Sequence, residues 1–156
     1  MPESVAPHPD APRTISIVVS EYNDNITSKL CKAAVETLLS AGIDDQDILI
    51  LRAPGAWELI YACQLAIGRS DCRGVIALGA VIQGETTHDQ HLNRAVSLGL
   101  MQLSLEHRKP VGLGLLTVKS LEQAIQRSGG NVGNKGDEAA SALLACLRLK
   151  DGIGHL

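Results

Sequence analysis

Four short, almost wholly apolar runs, at residues 15–19, 48–51, 75–82 and 111–116, alternate with segments of helical period. Runs of that kind cannot keep one face in water. Interleaved with helices, they imply a parallel sheet covered on both sides. The helical segments fall at 26–41, 56–68, 91–107, 121–127 and 135–149. The first sets Ile26, Leu30, Ala33, Ala34 and Leu38 on one face and stops at Gly42; the second turns Leu59, Cys63, Ala66 and Ile67 inward. The order β-α-β-α-β-α-β-α-α predicts an α/β fold, a three-layer α/β/α sandwich on a four-stranded parallel sheet. The segment 91–107 is apolar around more of its circumference than a surface helix needs, so one side of it is expected to meet another subunit.

At 156 residues the chain has room for one domain. Residues 1–13 carry Pro2, Pro7, Pro9 and Pro12 without apolar periodicity and read as a tail, leaving 14–156 as a single domain. The net charge is −3, and no Lys/Arg cluster exceeds Arg108-Lys109, which argues against a nucleic-acid partner. No apolar run is long enough to span a membrane. The first residues lack the charged start and apolar stretch of a signal peptide, so a cytoplasmic location is expected. Cys31, Cys63, Cys72 and Cys146 form no Cys-x-x-Cys pair and read as reduced structural thiols.

In parallel α/β sheets ligands sit beyond the carboxyl ends of the strands. That rule selects the loops 21–23, 53–58, 83–88 and 117–119. Aromatic residues are few, only Tyr22, Trp57 and Tyr61, and two of these three fall in the selected loops. Gly84-Glu85-Thr86-Thr87-His88 links a strand to a helix; free amides at a helix start suit a phosphate, and an imidazole there can exchange a proton near neutral pH. An ordinary helix cap followed by an exposed His is the alternative. His88, Asp89 and His91 could ligate a metal, but no third well-spaced His or Cys accompanies the two imidazoles. Glu58 either caps a helix or faces a ligand, and Tyr22 either stacks on a flat ring or covers the sheet edge. Arg127 either complements a helix C-terminus or holds a phosphate with its planar fork. Lys135 reads as solvent-facing.

Taken together, Tyr22-Asn23, Pro54-Gly55-Ala56-Trp57-Glu58-Leu59, Gly79-Ala80-Val81-Ile82-Gln83-Gly84-Glu85-Thr86-Thr87-His88, Leu116-Thr117, Gln123-Ala124 with Arg127, and Gly133-Asn134-Lys135-Gly136 occur in the order found in one family. From about residue 14 to 149 the chain closely resembles the 6,7-dimethyl-8-ribityllumazine synthases of riboflavin biosynthesis. The resemblance implies a flavodoxin-like fold and condensation of 5-amino-6-(D-ribitylamino)uracil with 3,4-dihydroxy-2-butanone 4-phosphate, with neither cofactor nor metal. It gives His88 proton transfer, sets Tyr22 on the pyrimidine, and sets Ala56, Trp57, Glu58, Ala80, Val81 and Ile82 around the aminouracil. Glu85, Thr86 and Arg127 fall to the phosphate. Leu113 stands where the family commonly has Phe, in a position contributed across a subunit boundary, and Asp89, Gln90 and His91 replace residues that are commonly aromatic and acidic. The resemblance further implies a pentamer. The compact turn 129–133 is similar to that of members forming a shell of 60 subunits, and riboflavin synthase is a candidate partner. A flavin- or lumazine-binding scaffold without catalysis is the alternative, resting on Leu113.

Overall fold

The computed structural model describes residues 11–154. Its elements in chain order are β1 (Thr14–Ser20), α1 (Asp24–Ser40), β2 (Ile48–Ala53), α2 (Leu59–Ile67), β3 (Cys72–Ile82), α3 (His88–His107), β4 (Val111–Val118), α4 (Leu121–Gln126), β5 (Ser128–Gly130), β6 (Gly133–Asn134) and α5 (Lys135–Gly154). A 3-10 turn, Asp45–Asp47, leads into β2. The four long strands form one parallel sheet in the order β2-β1-β3-β4, the flavodoxin-like arrangement expected from the sequence.

Strand periodicity divides the core in two. Ile15, Ile17 and Val19 of β1, with Ile76, Leu78 and Ala80 of β3, meet α1 and α5. Val18, Val75, Ala77 and Val81 point the other way, onto α2 and α3. The result is the three-layer sandwich. The two helices α1 and α5 cross so closely that a Cβ on Gly136 would run into the Leu30 carbonyl. Only glycine allows backbones to approach that far.

Several boundaries differ from the sequence reading. Residues 56–58 form a turn, and α2 begins at Leu59. Helix α3 starts three residues earlier than its apolar pattern, at His88, and the Gly-rich turn is a short hairpin, β5–β6. The apolar strand β2 lies at the sheet edge, with Ile50 exposed, although its composition suits a covered strand. Of the segment expected as a tail, residues 1–10 lie outside the described residues. The Arg13 amide donates to the Asp71 carbonyl and its guanidinium faces Asp47. Cys31, Cys63 and Cys72 are buried and Cys146 is exposed, all as free thiols.

Candidate active site

The strand order 2-1-3-4 reverses direction between β1 and β3, and such a switch point opens a crevice at the carboxyl edge. Here β1 stops pairing at Val19 with Leu78, while β3 runs on beside β4 as far as Ile82. The Gln83 amide donates to the Val118 carbonyl. By strand alternation the main-chain groups of Ile82 therefore point away from β4, into the crevice. That edge can pair with the rim of a flat heterocycle.

Asn23 closes the β1 side. It sits in the left-handed region (φ 60°, ψ 46°) as the N-cap of α1, and its Nδ2 donates to the Ala80 carbonyl over 2.8 Å. A cavity of about 370 Å³ results, lined by Tyr22, Asn23, Ala56, the strand end Ala80 to Ile82, Gly84, Thr86, His88, Asp89 and Leu92. Tyr22 is 72% exposed, Trp57 62% and Tyr61 65%. All three aromatic rings are thus held out of the core, which the aliphatic residues fill alone. Tyr22 stands over the cavity with a free face.

The β3–α3 loop supplies the other wall. Among the described residues, the backbone amides of Gly84 to Thr87 make no hydrogen bond, while the His88 amide donates to Thr86 Oγ1 (3.3 Å). Unengaged amides beside the positive end of a 20-residue helix can receive an anion. The His88 imidazole is exposed at the mouth, in reach of a bound molecule. Glu58 occupies the N-cap position of α2 yet makes no capping hydrogen bond, so capping does not account for its carboxylate.

The cavity unites Tyr22, Ala56, Ala80, Val81, Ile82, Thr86 and His88. Trp57, Glu58 and Glu85 are exposed near it without lining it. Arg127 is elsewhere. It ends α4 and lines a second depression of about 240 Å³ on the β4 side, with Thr117, Val132, Lys135 and Glu138. Leu113 is exposed on β4, outside both. No ion pair engages Arg127 among the described residues, whereas Lys135 pairs with Glu138 at 3.7 Å. Lys135 lines the same depression as Arg127 while its side chain stays partly in solvent. Asn23 was missed as a site residue; an Asn directly before a helix, able to take up the left-handed conformation, was the available signal.

A larger cavity, about 480 Å³, lies at the opposite edge of the sheet between Arg13, Asp44, Asp47, Arg73, Lys109, Lys150 and Asp151. Its charges are already matched: Arg13 with Asp47, Arg73 with Asp151, and Lys109 Nζ donating to the Ile67 and Arg69 carbonyls. Size alone does not make it the site. Among the described residues no group of three or more His, Cys, Asp or Glu is placed to hold a metal, and no helix is long and apolar enough to cross a membrane.

Fold and crevice define a doubly wound α/β protein with a cavity at its β1/β3 switch point whose lining suits a flat ring and an anion. Within that class the chain belongs to the 6,7-dimethyl-8-ribityllumazine synthase family, whose model matches residues 12–151. It is similar to the 6,7-dimethyl-8-ribityllumazine synthase of Rhodopirellula baltica, 52% identical over 87% of this chain and 88% of the relative. The synthases of Cytophaga hutchinsonii (44% identical, 86% and 85% covered) and Desulfovibrio desulfuricans (39% identical, 88% of each) are further relatives. The resemblance drawn from the motifs is borne out.

Proposed function

We infer that this chain is an active lumazine synthase, a transferase of riboflavin biosynthesis. It condenses 5-amino-6-(D-ribitylamino)uracil with 3,4-dihydroxy-2-butanone 4-phosphate, and phosphate and water leave. The observation that carries the reading is one cavity holding a free aromatic face, an unpaired strand edge and an imidazole beside open amides. Tyr22 stacks on the pyrimidine, while Ala56 and the Ala80 to Ile82 edge meet its polar rim. Trp57 and Glu58 flank the ribityl chain, and Glu85 and Thr86 belong to the turn that receives the phosphate. His88 moves protons as the ring amine attacks the ketone, the imine forms and phosphate departs. Orientation of two bound substrates supplies much of the remaining rate.

Arg127 and Leu113 complete the site from a neighbouring copy. Tyr61 and Leu65 on α2, with Leu98, Met101 and Leu105 on α3, leave an apolar surface that a second copy would cover. The expected assembly is a pentamer. The two-residue turn between β5 and β6 suits the shell of 60 subunits, with riboflavin synthase as the candidate partner and the cytoplasm as the location.

Mixing purified protein with both substrates and following lumazine fluorescence tests the activity; no product would leave the non-catalytic scaffold. Co-assembly of Arg127→Ala with His88→Ala chains tests the shared site. Activity should return in mixed assemblies, since some interfaces then combine an intact His88 with an intact Arg127. Failure to recover activity in verified mixed assemblies would place both residues in one chain's site.

A further inference from the structure

The buried stripe of α3 runs 89, 93, 96, 100, 103. Its lower part, Val96, Leu100 and Leu103, packs on the sheet. The same stripe turns polar in its first two turns, where Asp89 and Asn93 stand four residues apart and so share a face. Both are half-buried. The Oδ1 atom of each is shut off from solvent and has no hydrogen-bond partner. Buried acceptors normally find a donor, and an unpaired carboxylate oxygen is among the least tolerated exceptions. Asp89 also lines the cavity beside His88 and Leu92. What is missing is a donor; the cavity adjoins Asp89, and a ligand seated there meets the carboxylate once the side chain turns toward it.

We propose that Asp89, backed by Asn93, is a further substrate-positioning residue that accepts hydrogen bonds from the aminouracil. This rests on the synthase reading and names a determinant within its site. A carboxylate takes no hydrogen bond from a phosphate dianion, and the butanone phosphate has one free hydroxyl to donate, so the donor-rich aminouracil is the better-matched ligand. The aminouracil offers donors of three kinds: its amino groups, its ring N–H groups and its chain hydroxyls.

The test uses the wild-type protein, Asp89→Ala, Asp89→Asn and Asn93→Ala. Steady-state KM is measured for each substrate, with calorimetric titration of the aminouracil alone, fluorescence titration of 6,7-dimethyl-8-ribityllumazine, and Tm. Asp89→Ala should raise the aminouracil KM and Kd tenfold or more, with Asp89→Asn and Asn93→Ala intermediate. The KM for butanone phosphate should not rise, and Tm should hold. Lumazine binding weakened in parallel assigns the contact to donors the product keeps, the hydroxyls or the ring N3–H. Unchanged lumazine binding assigns it to an N–H lost in the reaction. Aminouracil KM and Kd within twofold of wild type would overturn the proposal. So would a fall in Tm with both constants unmoved, which would make Asp89 and Asn93 partners of each other alone. Absence of product from wild type would refute the synthase reading by itself, while the aminouracil titration would still judge Asp89.

Discussion

Replacing Asn23 separates two contributions that meet at one residue. Its backbone is left-handed, its carbonyl accepts from the Ile26 and Thr27 amides, and its side chain donates to the Ala80 carbonyl. Alanine in that conformation costs ~1–2 kcal/mol. The lost hydrogen bond adds ~1 kcal/mol, the lower end of the range, because water entering the cavity can partly replace the donor. Asn23→Ala should therefore lose about 2–3 kcal/mol, or about 5–10 °C in Tm for a chain of this size. Glycine accepts the backbone geometry, so Asn23→Gly should lose only about 1 kcal/mol. Urea unfolding at one fixed protein concentration measures both, since the proposed assembly would make apparent stability concentration-dependent. The reasoning fails if the Gly variant falls as far as the Ala variant, or if Ala is within ~0.5 kcal/mol of wild type, the range of ordinary surface changes.

His88→Ala should slow turnover by ~10²-fold or more while aminouracil binding persists, read by steady-state kinetics and titration; unchanged turnover would remove the imidazole from the chemistry. Gly136→Ala should cost ~3 kcal/mol, seen as a lowered Tm, because the new methyl meets the Leu30 backbone, which has no rotamer to escape into. Burial pushes the Cys63 thiol up to about 12 from its ordinary value of 9.0. Its ionisation is thus favoured by unfolding: stability is complete below pH 9 and falls between pH 9 and 12, by up to ~1.4 kcal/mol per pH unit. Comparing wild type with Cys63→Ala across that window isolates this slope from other titrating groups, and equal slopes would refute it.

The strand–helix rhythm was legible because burial on both faces leaves an unbroken apolar run and helices leave a 3.6-residue period. Strand order was not readable from that rhythm and came only through the family resemblance. The run Ile48-Leu49-Ile50-Leu51 looks like a covered strand, yet β2 is an edge. Composition reports whether a strand is covered, but it cannot say whether the cover comes from its own chain. The same limit bears on the proposed sharing of the site between copies. Motifs named Tyr22, His88 and Arg127 together, and the fold places only the first two in one cavity. A sequence pattern records what chemistry is assembled and is silent about how many copies assemble it.

Asn23, read only as part of the loop 21–23, and Asp89, read only as a possible metal ligand and a departure from the family, were not singled out as cavity residues for a different reason: each looks ordinary in its local setting. An Asn before a helix reads as a cap, and an Asp in a first helical turn reads as a partner for the helix dipole. What distinguishes them is tertiary. Asn23 spends its side chain on β3, 57 residues away, in place of an N-cap bond within α1. Asp89 heads the stripe that continues as Val96, Leu100 and Leu103, a position where helical periodicity calls for an apolar residue. A charge there breaks the local rule, and departures of that kind concentrate at functional sites. Read along the α3 stripe, the clue is in the sequence: the helix begins two turns before the apolar periodicity does, where it leaves the sheet and meets the cavity.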